Sequence, residues 1–305
     1  MRSAVALLLA LFSLRAEAQL KVLRVEALPL GSARAWSQPL WSPDGKTIYY
    51  TAVDYNGIWA YSTTGRTVVR ITSDRSSGFG FTISPDGARI AWRRTLPGAL
   101  PGERVQEAIT KNLADGTTSV LASGRSVSLP SFVGSGVVYS LAGEVQGVSA
   151  GAQTAGSTAI LGIEETKIAV LRGGVKSYLD PLGGGSYIWP SLSPDGSRLL
   201  AYEMDRGTFV ADPDGRHAVR IGRRDAPSWT RDGKWIVYMA DKDDGHSIRS
   251  SELAYVSPDG KTSGTLTSTS RRAEMYPRCS PVRDEIVCST LGGEILVIGY
   301  AEVPR

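Results

Sequence analysis

The 305-residue chain is 42% hydrophobic and 21% charged, with a formal net charge of +4 and only two histidines. These proportions are ordinary for a globular protein with a large core, and they exclude a disordered or collagen-like chain. The basic pairs Arg93-Arg94, Arg223-Arg224 and Arg271-Arg272 fall in separate segments; with no basic face interleaved with aromatics, no nucleic-acid partner is expected.

Met1-Arg2-Ser3 is a short basic start, Ala4 to Leu14 an apolar run, and Ala16-Glu17-Ala18 a small-x-small cleavage pattern. Residues 1–18 therefore read as a signal peptide cut before Gln19. The run is too short to span a bilayer, which takes roughly 20 apolar residues. No later stretch reaches that length, so a periplasmic or secreted, non-membrane-spanning protein is expected.

Residues 19–305 read as one domain of repeats. Pro39-Leu40-Trp41-Ser42-Pro43-Asp44-Gly45 leads to Ile48-Tyr49-Tyr50. Related blocks are anchored at Phe81, Pro130, Pro190, Pro227 and Pro277, each followed by a turn and a second apolar run. The widest interval, 60 residues, lies between Pro130 and Pro190. A third short run follows in each unit (Ile58–Tyr61, Ala108–Leu113, Lys167–Leu171, Thr208–Ala211, Leu253–Val256, Glu294–Ile298), and then a Gly turn and a fourth. Asp-Gly between short β-rich runs signals a hairpin. Four antiparallel strands per repeat of this length describe a propeller blade. The expected fold is all-β, a six-bladed β-propeller. The last unit lacks a fourth strand, and Lys21 to Leu28 resembles one, so the N-terminal strand is expected to close the ring. The anchoring Pro suits an inner strand with one unpaired edge, since Pro has no N–H to offer.

The blocks Trp41-Ser42-Pro43-Asp44-Gly45-Lys46, Ile83-Ser84-Pro85-Asp86-Gly87, Leu192-Ser193-Pro194-Asp195-Gly196 and Trp229-Thr230-Arg231-Asp232-Gly233 resemble the WD40-like Pro-Asp repeats of TolB-type six-bladed propellers. The resemblance covers residues 20–305. It implies a propeller that binds a protein or peptide in the cell envelope. The same repeats occur in propeller domains of prolyl-oligopeptidase-type enzymes. The α/β domain that precedes the TolB propeller has no room between Gln19 and Trp36.

Cys279 and Cys288, both in the last unit, are nine residues apart, like Trp41 and Tyr50. Such positions are expected to face each other across a hairpin, and an exported protein meets oxidising conditions, so a disulfide is expected.

Chemistry is sparse. There is no Gly-x-Ser-x-Gly elbow, P-loop, zinc spacing or His-Glu-x-x-His. His217 reads as a surface residue. His246 follows Asp241, Asp243 and Asp244 in a polar loop, where oxygen ligands offer a weak Ca²⁺ candidate. Asp44, Asp86, Asp195 and Asp232 read as turn residues that bond nearby backbone. The aromatics Trp36, Phe79, Tyr187, Trp189 and Tyr276 fall where the chain enters the ring. With Arg278 they form the candidate binding rim, the kind of anchor set that takes a protein or peptide. No cofactor is required. A monomeric, non-catalytic scaffold is expected. The alternatives are a sugar or small-molecule enzyme at the channel mouth, with a metal in one version, and a calcium-stabilised structural propeller.

Overall fold

The computed structural model describes residues 18–31, 33–147, 158–244, 247–269 and 272–304. Residues 1–17, all but the last residue of the expected signal peptide, and His246 lie outside them. The described residues form an all-β propeller of seven sheets, not six.

The chain opens with β1 (Ala18–Ala27). Blade 1 follows as β2 (Trp36–Trp41), β3 (Thr47–Ala52), β4 (Ile58–Ser62) and β5 (Val68–Thr72). Blade 2 is β6 (Thr82–Ile83), β7 (Arg89–Pro97), β8 (Arg104–Asn112) and β9 (Thr118–Gly124). Blade 3 is β10 (Ser131–Val133), β11 (Gly136–Leu141) and β12 (Glu144–Gln146). Blade 4 is β13 (Thr158–Glu164), β14 (Lys167–Arg172) and β15 (Val175–Leu179). Blade 5 is β16 (Tyr187–Leu192), β17 (Leu199–Glu203), β18 (Gly207–Ala211) and β19 (Val219–Gly222). Blade 6 is β20 (Asp225–Trp229), β21 (Ile236–Asp243), β22 (Ile248–Val256) and β23 (Ser263–Thr265). Blade 7 is β24 (Glu274–Cys279), β25 (Glu285–Thr290) and β26 (Ile295–Pro304), completed by β1.

The expected closure is present. β1 pairs antiparallel with β26 from Ala18↔Pro304 to Ala27↔Leu296, so the two ends of the propeller share one sheet. Leu20 is buried there among Leu296, Ile298 and Tyr300. Arg24 pairs with Glu285 on β25.

The extra blade comes from the 60-residue interval. Lys167–Leu171 was expected to be the third strand of the unit begun at Pro130. It instead pairs with β13, and β11 pairs with the short β12. β13 has no Ser-Pro-Asp-Gly turn; its hairpin turns on Glu165 and Thr166, both at positive φ (48° and 67°). Tyr187 N, at the start of β16, donates to Thr166 O at 2.9 Å. That contact puts the end of β13 beside the start of β16. β13 therefore runs opposite to the other inner strands, and the repeat pattern does not register it.

The Ser-Pro-Asp-Gly blocks are turns, as expected. Ser42 Oγ donates to Asp44 Oδ1 at 2.6 Å, and Lys46 N donates to the same oxygen at 3.0 Å. Ser42 N closes the turn on Thr47 O at 2.8 Å, with Gly45 at φ 67°. The arrangement repeats at Asp86, Asp195 and Asp232. The Ser42 hydroxyl first, then the Lys46 N–H, hold Asp44 below the ordinary carboxylate range. These aspartates brace hairpins.

The core is a ring of layers between sheets. Ile48, Tyr50 and Tyr61 of blade 1 pack on Val287, Ile295 and Val297 of blade 7. Leu200 and Val210 of blade 5 pack on Trp229, Ile236 and Tyr238 of blade 6. Val133 and Val138 of blade 3 pack on Leu161, Ala169 and Leu171 of blade 4. The seam between blades 2 and 3 has polar ties instead: Tyr139 Oη donates to Leu121 O at 2.9 Å, and the Arg89 guanidinium lies 5.4 Å from the Phe132 ring centre.

Both cysteines are free thiols. The turn is tighter than the nine-residue spacing suggests, so Cys279 faces Ile286, and Cys288 sits two residues further on and faces Leu296. A diagonal pair of this kind stands about 7–8 Å apart between Cα atoms, beyond the reach of most disulfides.

Candidate functional site

The residue before each anchoring Pro decides what reaches the channel. Gln38, Trp189, Ala226 and Tyr276 all adopt left-handed φ (51°, 51°, 46° and 55°). At each the pairing register slips: between Ser37 and Leu40, Ile188 and Ser191, Asp225 and Ser228, and Met275 and Arg278. Each of these four inner strands thus carries an X-Pro bulge. The Pro is accommodated because the bulge removes it from the ladder, a more specific reason than an open edge. Blade 2 meets the same need with Gly80 at φ 70° before Phe81.

The bulge sorts the expected rim. Trp36 and Tyr187 both stand three residues before their Pro, and both are core rather than rim. Trp36 is 8% exposed and packs edge-on against Tyr50 at 5.2 Å. Tyr187 is 1% exposed, and its hydroxyl donates to Asp180 at 2.6 Å. Trp189 and Tyr276, one residue before Pro, are half-buried in the bulges. Phe79 is exposed and stands edge-on to Tyr55 at 5.5 Å.

A polar pair joins these aromatics at the mouth, the face opposite the Ser-Pro-Asp-Gly turns. Asp225 opens β20 opposite Met239, so Asp241 is its diagonal neighbour on the same side of the sheet. Burial first, and then the hydrogen bond and charge of Asp241, push Asp225 up to about 6. Tyr202 is within reach of Asp225 and Arg223, and Trp189 packs edge-on against it at 5.6 Å. Tyr276 feels Tyr55 and Asp241. The mouth is therefore an arc from Trp189 through Tyr202, Asp225 and Asp241 to Tyr276, Tyr55 and Phe79. Asp225 was not singled out in the sequence, yet a signal exists. It stands two residues before Pro227, where the other Pro-anchored units have Ser37, Ser128, Ile188 and Met275.

Deeper in the channel, Arg278 follows Pro277. Equivalent places after the anchor hold Leu40, Thr82, Ser131, Ser191 and Ser228, none of them charged. Arg278 lines a 490 Å³ cavity with Trp189, Ser191, Trp229 and Cys279.

The remaining candidates do not converge. Asp241 turns to Asp225, while Asp244 accepts from Arg249 Nε at 2.6 Å. The side chain of Asp243 lies outside the described residues. Among the described residues no three His, Cys, Asp or Glu side chains group as metal ligands. His217 is exposed, with Nδ1 2.6 Å from Asp212 Oδ2. The loops around residues 95–106 and 241–251 are extensions of the hairpins β7–β8 and β21–β22. No helix among the described residues is long and apolar enough to cross a membrane.

No family model matches the chain, and no curated protein matches it. Solved structures do. TolB from Acinetobacter baumannii aligns with a TM-score of 0.58 at 17% identity, over 82% of this chain and 58% of that one. A chain of the Mitotic Checkpoint Complex aligns at 0.60 and 11% identity over 98% of both. The Cps50 (Swd1) β-propeller domain of Myceliophteria thermophila aligns at 0.57 and 11% identity, over 92% of this chain and 99% of that one. This chain thus spans little more than half the length of TolB. At these identities the shared property is the fold: a β-propeller with TolB among its structural neighbours.

Proposed function

We propose that this chain is an exported, non-catalytic propeller scaffold of TolB-like type that binds a protein or peptide partner in the cell envelope. The observation that carries the reading is the arc of accessible aromatics Trp189, Tyr276, Tyr55 and Phe79 around one acidic pair at the mouth. Aromatic anchors supply rigid contact area at low entropic cost, and burying them accounts for most of the affinity of typical interfaces. The Asp225–Asp241 pair suits a basic residue of the partner. Export rests on the Met1 to Ala18 leader pattern. The test compares capture from envelope extracts by the wild type and by a Trp189→Ala/Tyr276→Ala variant. A partner retained by the first and lost by the second supports the reading. Retention of the same proteins by both, or of none by either, overturns it.

One observation favours a second reading. A carboxyl held to about pH 6 beside a second carboxylate and a tyrosine is a general acid–base arrangement, as a propeller enzyme acting on a sugar or small molecule at the channel mouth requires. Turnover abolished by Asp225→Asn, with partner capture untouched, is the outcome that selects it. Calcium at the Asp241 loop is tested by metal analysis of the same preparation.

A further inference from the structure

The cavity around Arg278 lies away from the acidic mouth, between β16, β20 and β24, near the turn face. Pro190, Pro194, Pro227, Pro281, Trp189 and Trp229 give its wall much of its apolar surface. Its one other cation, Arg231, is committed to Asp284 through Nε at 2.7 Å. Arg278 has no carboxylate partner among the described residues, and the surrounding walls disfavour its charge, with only the Cys279 thiol acting the other way. Its backbone carbonyl, by contrast, is used, accepting from Trp41 Nε1 at 3.1 Å.

Two further polar atoms in the same wall are unpaired. Trp229 is 7% exposed, and its Nε1–H meets no acceptor. Ser191 Oγ is likewise buried without a partner. An unmatched half-buried cation and two unmatched buried polar atoms are each costly to a fold. Of the three, Arg278 is the one open to the cavity; Trp229 Nε1 and Ser191 Oγ have almost no accessible surface and lie behind its wall. Arg278 presents its protons to the cavity, and none of the cavity-lining residues is a carboxylate. The volume is in the range of small-molecule sites.

We propose that this cavity binds a small aryl carboxylate, with its carboxylate on Arg278 and its ring against the proline and tryptophan wall. One free positive charge matches one negative charge, which selects a carboxylate over a phosphate dianion. The planar guanidinium fork fits a carboxylate with two parallel bonds. The flat apolar wall selects a ring over a polar chain.

The test is calorimetric titration of the protein with benzoate, benzamide and inorganic phosphate. Benzoate is expected to bind saturably, benzamide roughly tenfold to a hundredfold more weakly, as loss of hydrogen bonds to a charged group implies, and phosphate without saturation. Arg278→Gln is expected to lose benzoate binding by the same factor while its melting temperature without ligand holds or rises. The proposal is overturned if benzoate fails to saturate, if benzamide or phosphate equals it, or if Arg278→Gln binds it unchanged. A lower melting temperature for unliganded Arg278→Gln would likewise overturn it, by showing the guanidinium to be part of the framework. None of these outcomes depends on the partner proposed for the mouth.

Discussion

Asp225 and Asp241 are diagonal neighbours on one side of the sheet at the channel mouth, and burial first, then the hydrogen bond and charge of Asp241, push Asp225 up to about 6. Burial disfavours the charged form, and two carboxylates this close cannot both ionise without repulsion. The pair therefore links the stability of the propeller to pH.

The sign follows from proton counts. In the unfolded chain Asp225 loses its proton near pH 4, and in the fold near pH 6. Between those values the native state holds more protons, so stability falls as pH rises from about 4 to about 6 and stays lower above. Two units amount to about 3 kcal/mol for a group cut off from water; at a half-open mouth about 1 kcal/mol is expected. Asp241→Asn removes the competing charge and is expected to flatten this part of the profile. Urea unfolding of both proteins at pH 4, 5, 6 and 7 measures it. Parallel profiles would show that the pair is not coupled.

Closure by β1 makes a second expectation. β1 covers the outer edge of β26 along its length and buries Leu20 against Leu296, Ile298 and Tyr300. Deleting residues 19–27 exposes that edge and part of a core layer, and the product is expected to aggregate or fail to fold. Leu20→Ala is the milder probe, with a cost of about 2–5 kcal/mol. A deletion protein with the melting temperature of the full chain contradicts the closure.

The parts of this fold that were legible in the sequence are those that a short-range rule determines. Asp44-Gly45 and its relatives at Asp86, Asp195 and Asp232 fix a turn locally, so those hairpins could be read directly. β13 could not, because its turn at Glu165-Thr166 carries no such signature and its strand runs against the others. Six blades were expected for that reason. At the site, Trp36 and Trp189 look alike in sequence. The X-Pro bulge separates them, sending the residue three before Pro into the core and the one just before Pro towards the channel. The pairing of Asp225 with Asp241 depends on the sheet register after the bulge, which spacing alone does not reveal. Arg278 was visible because it breaks the pattern of its repeat position.

The thiols give a prediction that separates the diagonal register from a bridge. Burial pushes Cys279 up to about 12 and Cys288 higher still, so neither forms thiolate near neutral pH. The native protein is expected to react very slowly with a thiol reagent and to release two equivalents once denatured. Mass spectrometry without reductant is expected to show two free thiols; a mass lower by two hydrogens in the native protein contradicts the register argument.

The bulges themselves hold strain that can be released. Gln38 carries a Cβ at φ 51°, a conformation that costs an L-residue about 1–2 kcal/mol, whereas blade 2 meets the same need with Gly80. Glycine recovers that cost and gives part of it back through the greater freedom of the unfolded chain. Gln38→Gly is therefore expected to raise stability by about 0.5–1 kcal/mol. Gly80→Ala, at φ 70° with its new methyl near the Leu129 side chain, is expected to lower it by at least as much. Urea unfolding with an unchanged slope reads both. If Gln38→Gly is destabilising, the Gln38 side chain contributes more to the channel wall than the strained backbone costs, and the bulge is selected for its side chain rather than tolerated for its turn.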